Sequence, residues 1–265
     1  AWLEQRREAA VAPGAPGAAV DRPRGVLLLG VQGAGKSLTA RAVAGAWGLP
    51  LLRLDMGALY NKYIGETERN LRESLRSAEL MAPCVLWLDE IEKGVGGTDT
   101  DEGVSRRLLG SLLTWMAERC EPVFMVATAN DISQLPPELI RKGRFDEIFF
   151  VDFPSEVARA QIAAIHLKKR GHDPQQFEIE ALAKLARGFS GAEIEQAIVS
   201  ASFEARARGD ALRAADILAE IERTRPLSVV MAERIDALRA WARERAVYAD
   251  DEPDEGGGRA MSPAA

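Results

Sequence analysis

The stretch that decides the fold of this chain is residues 30–37, which read GVQGAGKS. A short apolar run at residues 26–29 precedes it, and a helix-patterned stretch at residues 37–47 follows it. The stretch fits the pattern G-x-x-x-x-G-K-[ST] without a mismatch, and a position between a strand and a helix is the one that a phosphate-cradling loop requires. A chance match in a glycine-rich turn is the alternative. We predict a phosphate-binding loop at this turn.

The glycines of this loop allow a tight turn in which successive backbone N–H groups point at one centre. The helix that follows adds its N-terminal dipole. Lys36 would then reach the β- and γ-phosphates of ATP, and the Ser37 hydroxyl would ligate Mg²⁺. We therefore expect ATP and Mg²⁺ as the bound groups, held by Gly30, Gly33, Ala34, Gly35, Lys36 and Ser37.

Short apolar runs alternate with helix-patterned stretches as far as Pro154. The further strand candidates are residues 51–54, 85–88, 122–128 and 149–153. This alternation predicts an α/β fold, a P-loop parallel sheet with helices on both faces. After Pro154 only helix-patterned stretches follow, at residues 155–170, 178–186, 191–209, 213–223 and 228–248. They predict a small all-helical lid subdomain, in which Ser228 caps the last helix.

We expect four parts along the chain. Residues 1–23 form an N-terminal helix and a linker, and residues 24–153 form the nucleotide-binding α/β subdomain. Residues 154–248 form the helical subdomain with a C-terminal helix. Residues 249–265 are acidic and then rich in Gly, Pro and Ser, which predicts a disordered tail. Because the chain starts at Ala1, inside a helix pattern, we also expect a segment upstream of it.

The composition narrows the function classes. A formal net charge of −6 disfavours a dedicated nucleic-acid surface. No apolar stretch approaches the length of a membrane span, so we expect no membrane partner. Cys84 and Cys120 are the only two cysteines. They are too few for a disulfide framework, so we expect two buried, reduced thiols and a cytoplasm-like compartment.

Two strand candidates end in polar residues. Asp89 and Glu90 follow the apolar run at residues 85–88, and Asn130 follows the run at residues 122–128. In an open α/β sheet, ligands bind at the carboxyl ends of the strands. Asp89 would hold Mg²⁺, Glu90 would polarise the attacking water, and Asn130 would hydrogen-bond the γ-phosphate or that water. The alternatives are a solvated strand end for the pair and an ordinary turn residue for Asn130.

Together these residues resemble the AAA+ ATPases, in particular the classical AAA branch, over about residues 20–225. Lys36 matches the Walker A lysine of that family, Asp89 and Glu90 its Walker B pair, and Asn130 its first sensor. The resemblance implies ATP hydrolysis. It also places Leu38, next to the phosphate loop, at the nucleotide.

The segment at residues 139–146 (LIRKGRFD) matches the arginine-finger segment of the family. Such arginines point into the ATP site of the neighbouring subunit, so Arg141 and Arg144 imply a homo-oligomeric ring, commonly a hexamer. An arginine fork stabilises charge on the transferring phosphoryl group. The alternative is a pair of solvated surface arginines.

The segment at residues 188–194 (GFSGAEI) resembles the second-sensor turn of the family, where Gly191 and Ala192 would lie against the base and sugar. Many other AAA+ branches carry a sensing arginine where this chain has Ala192. His166 lies in a segment that resembles the one whose histidine contacts the adenosine, although a lone histidine on a helix is more often structural.

The segment at residues 60–68 resembles the first pore loop of ring-shaped remodellers, with Lys62, Tyr63 and Ile64 at the positions that grip an unfolded polypeptide. Simple packing of Tyr63 is the alternative. The acidic, glycine-rich stretch at residues 94–103 would be an exposed second pore loop. This resemblance implies an unknown protein client. A slow, nucleotide-dependent assembly switch that threads nothing remains the other interpretation, and a nucleic-acid motor is disfavoured by the acidic charge.

Four stretches resemble a narrower group, the AAA ATPases encoded in some plastid genomes and in many bacteria. They are residues 33–40, 51–55, 82–87 and 191–198. Members of that group carry an additional N-terminal region and have no well-defined substrate. The resemblance therefore implies a plastid stroma location if the source bears plastids, and it leaves the client open.

Overall fold

The computed structural model describes residues 2–11, 22–59, 66–96 and 102–250. Contacts divide the chain into two units. The first comprises Ala1–Gly30, Lys36–Phe150 and Trp241–Val247, and the second comprises Val31–Gly35, Val151–Ala240 and Tyr248–Ala265, each as far as it is described. The domain boundaries expected from the sequence stay predictions. The expected linker at residues 12–21 and tail at residues 251–265 lie outside the described residues.

Strands and helices alternate through the first unit. In chain order they are α1 (Trp2–Val11), β1 (Gly25–Gly30), α2 (Lys36–Trp47), β2 (Leu51–Asp55), α3 (Glu66–Leu80), β3 (Cys84–Asp89), α4 (Ile91–Val95), α5 (Glu102–Glu118), β4 (Val123–Ala129), α6 (Pro137–Ile140) and β5 (Glu147–Val151). The sheet has six strands in the order β2-β3-β4-β1-β5-β6, where β6 is Val247–Tyr248.

The central strands are buried on both faces. Every residue of β1, β3 and β4 is buried. β3 pairs in parallel with β2 and β4, and β1 pairs in parallel with β4. Strands of this kind are covered by helices on both sides, which is why they read as continuous apolar runs. The predicted α/β fold with a parallel sheet is confirmed.

Aromatic packing fixes α2 on the sheet. The ring of Trp47, the last residue of α2, meets Phe124 of β4 edge-on at 4.5 Å between centroids. Val26, Val85 and Trp87 belong to the same buried cluster. Burying a side chain of this size stabilises the fold by roughly 1.5–3 kcal/mol. The packing therefore fixes the helix that starts at the phosphate loop.

The second unit is helical between Glu156 and Ala240. Its helices are α7 (Glu156–Lys169), α8 (Ile179–Leu185), α9 (Gly191–Arg208), α10 (Ala214–Arg223), α11 (Leu227–Val230) and α12 (Ala232–Arg245, of which the last five residues belong to the first unit). Leu167, Phe189, Ile198 and Ile221 lie in its core. The fully buried Arg159 connects two elements, since its Nε donates to the carbonyl of Ala183 at 2.7 Å and its Nη1 to that of Pro154 at 2.8 Å.

The single helix predicted at residues 228–248 is wrong. The chain forms two helices there, interrupted at Met231, and then the two-residue strand β6. Pro226 rather than Ser228 stands at the cap position of α11. The interruption lets Leu227 and Met231 both pack beside Phe153. Tertiary packing thus overrides a continuous helical pattern, as it commonly does. The last strand of the α/β part, predicted at residues 149–153, begins two residues earlier.

Two further expectations are wrong in part. Cys84 is buried, and burial raises the pKa of its thiol to about 11, but Cys120 is exposed because it follows the end of α5. The exposed loop expected at residues 94–103 begins later than predicted. Gly94 and Val95 are buried in α4, where Gly94 packs so closely on Met56 that an added Cβ would lie 2.5 Å from its Cε. Residues 97–101 lie outside the described part. Within the described residues, no helix is long and apolar enough to cross a membrane.

Candidate functional site

Lys36 stands at the first position of α2, immediately after the predicted phosphate loop, and it is buried. Its Nζ donates to the carbonyl of Gly30 at 2.8 Å. Burial lowers the pKa of the Lys36 ammonium to about 8, although the nearby carboxylates Glu92, Glu90 and Asp89 partly offset this effect. A buried ammonium of this kind is stabilised when an anion approaches it. The position therefore suits a bound phosphate.

The loop itself makes backbone contacts within the second unit. The carbonyl of Gly33 accepts the N–H of Ala192 at 3.2 Å. Gly33 has a φ of +77°, and a Cβ added there would lie 3.0 Å from both Ser190 Oγ and Ala192 Cβ. A Cβ on Gly191 would lie 3.5 Å from the carbonyl of Gly33. The structure thus brings the loop together with the two residues singled out in the second-sensor turn.

A capping box holds that turn. The Ser190 side chain accepts the N–H of Glu193, and the Glu193 carboxylate accepts the N–H of Ser190 at 2.8 Å. The other oxygen of Glu193 accepts the N–H of Leu227 at 2.8 Å. Reciprocal bonds of this type satisfy the free N–H groups at a helix start. One carboxylate therefore fixes both the start of α9 and the start of α11.

Asp89 ends β3 with both carboxylate oxygens engaged. Oδ1 accepts the hydroxyl of the buried Thr128 at 2.9 Å. Oδ2 accepts Nη2 of Arg53, on the neighbouring strand β2, at 2.8 Å. Thr128 Oγ1 also accepts the N–H of Glu90 at 3.1 Å. Thr128 and Arg53 were not among the residues predicted to act here.

Glu90 has φ 51° and ψ 53°, and it is the only non-glycine residue with a positive φ in the described ranges. For a residue with a Cβ this conformation costs on the order of 1 kcal/mol. Asn130 Nδ2 donates to Oε1 of Glu90 at 3.4 Å, and Lys93 Nζ lies 2.5 Å from Oε2. The structure thus brings together Glu90 and Asn130, which come from two different strand ends. Strain of this kind concentrates at functional sites.

Glu92 is a buried acid that the sequence analysis missed. Its Oε1 accepts the N–H of Asn130 at 2.9 Å, whereas its Oε2 has no hydrogen-bond partner among the described residues. Burial raises the pKa of the Glu92 carboxyl above its ordinary value. The signal that could have found it is an acid two positions after the Asp89–Glu90 pair. Glu92 links α4 to the end of β4 and adds negative charge near Lys36.

Arg141 and Arg144 follow the end of α6. Arg141 is exposed, while Arg144 Nη1 donates to the carbonyl of Leu113 in α5 at 3.2 Å. Asp146 fixes the loop that carries them, since its carboxylate accepts the N–H groups of Arg24 at 2.6 Å and Gly25 at 2.9 Å. In the described part of this single chain, no hydrogen bond joins either arginine to Asp89 or Glu90.

His166 lies on α7, mostly buried, with Nδ1 3.1 Å from Oε1 of Glu195. Arg170 Nη2 donates to the same oxygen at 2.9 Å. Burial lowers the pKa of the His166 imidazole, against the opposing effect of Glu195. A neutral ring that donates from Nδ1 keeps Nε2 as an acceptor. Glu195 lies one turn beyond Ala192 on α9, so His166 is connected to the helix of the second-sensor turn.

The remaining predicted residues are those next to the phosphate loop and those of the predicted pore loop. Leu38 is an exposed apolar side chain on α2, with 64% of its surface accessible, and Ser37 beside it is exposed. The predicted pore-loop residues Lys62, Tyr63 and Ile64 lie outside the described residues.

The donor set in the first unit fits Mg²⁺ and a nucleotide. The described residues contain no group of three or more His, Cys, Asp or Glu that could hold a metal ion alone. Magnesium at a phosphate loop does not require one, because it binds one or two side-chain oxygens and the phosphates. The exposed Ser37 hydroxyl and the Asp89 carboxylate are oxygen donors of the required kind, and Lys36 supplies a cation for the phosphates.

The comparisons with known proteins agree with this geometry. The model of the "ATPase family associated with various cellular activities (AAA)" matches residues 26–153. The chain belongs to the AAA family. It is 45% identical over 244 residues to the AAA domain-containing protein ycf46 of Pyropia yezoensis. The aligned residues are 91% of this chain and 49% of that relative. The chain is 38% identical to the proteasome-activating nucleotidase of Aeropyrum pernix over 72% of this chain and 48% of the relative.

A solved structure of the FIGL-1 AAA domain in complex with ADP has the same fold. Its TM-score is 0.71 at 24% identity, over 85% of this chain and 79% of that one. The chain spans about half the length of curated relatives of this kind.

Proposed function

We propose that this AAA domain binds ATP with Mg²⁺ and hydrolyses it at the carboxylate edge of the first unit. The observation that carries the proposal is the cluster at the strand ends. The buried Lys36 lies near three carboxylates, and Glu90 is held in a left-handed conformation beside Asn130. Structural ion pairs do not require a strained backbone at the acid, whereas positioning of a base for catalysis can use one.

Each residue would perform one task. Lys36 binds the β- and γ-phosphates, and Ser37 and Asp89 hold Mg²⁺, which neutralises charge on the phosphates when it is bound. Glu90 polarises the attacking water, and Asn130 orients that water or the γ-phosphate through its amide. Thr128 supports both acids, since it bonds the carboxylate of one and the backbone of the other.

We assign adenosine binding to the second unit. The contact of Gly33 with Ala192 and Gly191 supports this, because the loop and the second-sensor turn share one small-residue surface. His166, with Nε2 left as an acceptor, would meet a donor on the base. In the first unit, we assign the exposed Leu38, next to the phosphate loop, to nucleotide contact.

Arg141 and Arg144 would complete the site of a neighbouring copy. They lie on the first unit without a hydrogen bond to their own Asp89 or Glu90 in the described residues. In addition, Asp146 fixes the backbone of their loop. An arginine supplied in trans to a phosphoryl transfer site contributes on the order of 10³–10⁵-fold in rate. A homo-oligomeric ring, commonly a hexamer, follows from this assignment.

The proposed work of the ring is remodelling of a protein client, with Lys62, Tyr63 and Ile64 as the polypeptide contact. The relation to a proteasome-activating nucleotidase and to a zinc metalloprotease FtsH 2 of Bdellovibrio bacteriovorus, 34% identical over 76% of this chain, favours client processing over a passive switch. Two free thiols, one of them exposed, favour a reducing, cytoplasm-like compartment, which would be the plastid stroma if the source bears plastids.

The experiment that tests hydrolysis uses Glu90→Gln with Glu73→Gln, an exposed glutamate of α3, as its matched control. Glu90→Gln should bind ATP like the wild type and release phosphate slower by a factor on the order of 10²–10⁴. Glu73→Gln should behave as the wild type in both assays. Undiminished phosphate release by Glu90→Gln would refute the role of Glu90.

The client proposal has a separate test. In the Glu90→Gln background with ATP, the chain should retain a fluorescently labelled unfolded polypeptide during gel filtration. Adding Tyr63→Ala should abolish retention and leave ATP binding unchanged. Equal retention with and without Tyr63 would contradict threading, and no retention by either would favour the assembly switch.

A further inference from the structure

Four side chains beside the proposed Mg²⁺ site share one face of the sheet. β2 and β3 pair so that Arg53 lies opposite Trp87, and Asp55 lies opposite Asp89. Because side chains alternate along a strand, positions two apart point to the same face. Arg53, Asp55, Trp87 and Asp89 therefore form a square at the carboxyl ends of two neighbouring strands.

Arg53 contacts each of the other three. Its Nη2 donates to Asp89 Oδ2 at 2.8 Å and lies 3.6 Å from Asp55 Oδ2. Its guanidinium carbon lies 4.8 Å from the centroid of the Trp87 ring. The Arg53 side chain is half exposed, whereas the Asp89 side chain is only 13% exposed. The guanidinium can thus move from one carboxylate to the other while it stays beside the indole.

Only one carboxylate oxygen of Asp89, Oδ2, is left for both Arg53 and a metal ion, because the other oxygen is already bonded. Oδ1 is bonded to the hydroxyl of Thr128, which is buried. Oδ2 is the oxygen through which Asp89 would hold Mg²⁺ directly or through water, and Arg53 already bonds it. Two cations at one oxygen repel each other, so Arg53 has to withdraw when Mg²⁺ binds.

We propose that Arg53 is an internal counter-ion of Asp89, which moves to Asp55 when Mg²⁺-nucleotide binds and so limits how much Mg²⁺ adds to nucleotide affinity. This inference rests on the proposed nucleotide site. Asp55, Asp89, Glu90 and Glu92 place four carboxylates at this edge, and Arg53 compensates one of them until the metal arrives. The bound metal then takes over that compensation.

The test compares nucleotide affinity with and without the metal. A fluorescent ADP analogue is titrated into the wild type and Arg53→Met, once in saturating Mg²⁺ and once in EDTA. The methionine removes the charge and keeps an unbranched apolar side chain of similar length next to Trp87. The ratio of the two affinities should be about two- to fivefold larger for Arg53→Met than for the wild type, the range expected for releasing a half-exposed ion pair. Affinity in EDTA should fall for Arg53→Met, because Asp89 then carries an uncompensated charge near the phosphates.

Arg41→Met is the matched control. Arg41 lies over the same indole, with its guanidinium carbon 5.7 Å from the centroid, but it is on α2 and shows no ion pair with Asp89 in the described residues. Its removal should leave the Mg²⁺ effect at the wild-type ratio. Circular dichroism melts establish that each variant is folded.

Asp55→Asn tests the second position of Arg53. It should reduce the Mg²⁺ effect in the wild-type background and leave it unchanged in the Arg53→Met background, because the arginine that needs Asp55 is then missing. If Mg²⁺ raises the nucleotide affinity of Arg53→Met by the same factor as in the wild type, or by a smaller one, the inference is overturned, while the proposed nucleotide site still stands. Failure of every protein, wild type included, to bind the nucleotide would overturn the proposed site and the inference with it.

Discussion

The two units present different kinds of residue at their proposed nucleotide-binding positions. The edge of the sheet in the first unit is crowded with charge, since Lys36, Arg53 and Lys93 lie among four carboxylates. The turn in the second unit contacts the loop through backbone groups and small residues, at Gly33, Gly191 and Ala192. The difference indicates that the edge in the first unit is suited to binding charged groups, and that the turn in the second unit is suited to close packing of small residues.

Polar side chains in the second unit hold the backbone in place. Ser190 and Glu193 form the capping box, and Glu193 also bonds the N–H of Leu227. In the first unit, by contrast, Lys36 and Glu92 are buried with perturbed pKa values. Substitutions of the charged residues in the first unit should therefore have their largest effect on binding and chemistry, whereas those in the turn of the second unit should have their largest effect on stability. Perturbed groups of this kind cluster at functional sites.

The largest expected contrast is between Lys36→Met and His166→Gln. Removing one partner of a buried charge pair costs about 2–5 kcal/mol, so Lys36→Met should weaken ATP affinity by roughly 30-fold or more. His166→Gln removes one neutral hydrogen bond and should weaken ATP affinity by no more than roughly tenfold. Isothermal titration with ATP measures both. An equal loss of ATP affinity in His166→Gln and Lys36→Met would contradict this difference between the two units.

Two glycines of the second unit test whether its stability depends on close packing. Gly188 and Gly209 both have a φ of +79°, but a Cβ on Gly188 would lie 2.3 Å from Ser228 Oγ, whereas one on Gly209 would meet nothing within 4 Å. Gly209→Ala should cost only the backbone strain, about 1–2 kcal/mol. Gly188→Ala should cost roughly 1–3 kcal/mol more, because Ser228 has to move. Denaturant unfolding measures both, and equal losses would contradict close packing of this turn on α11.

The smallest expected effect concerns Glu92 and pH. Burial raises the pKa of the Glu92 carboxyl, so above its ordinary value the folded chain binds more protons at this residue than the unfolded chain does. The free energy of unfolding contributed by Glu92 therefore falls as pH rises through that window. Glu92→Gln should raise the melting temperature by roughly 2–4 °C at pH 8 and by less at pH 5. Glu180→Gln, an exposed glutamate of α8, is the control, and a shift that does not depend on pH would contradict the burial argument.

Much of this site could be predicted from the sequence because its signals are local. The loop has a fixed spacing, and the carboxyl ends of parallel strands meet at one edge. Asp89, Glu90 and Asn130 follow two such strands, and the structure joins Glu90 to Asn130 at 3.4 Å. The element types in the α/β part follow from the same apolar runs.

The remainder depends on neighbours that are distant in sequence. Arg53 lies inside a strand pattern, and nothing in that pattern shows that its partner is Asp89, which is 36 residues away. Glu92 is significant only because the short helix α4 brings it to the N–H of Asn130. The interruption at Met231 was missed because packing on Phe153 overrides a helical period that continues through it.

The central claim is that one chain supplies the acids and a second copy supplies the arginines. Glu90→Gln and an Arg141→Ala/Arg144→Ala double variant should each release phosphate slowly, yet bind ATP. In a mixture, the double variant would contribute an intact Glu90 and the other chain its arginines, so some interfaces regain both. The direct measurement is phosphate release by the mixture across mixing ratios. The account predicts a rate well above that of either protein, with a maximum at intermediate ratios. A rate that follows the weighted mean of the two proteins at every ratio would contradict a site shared between copies.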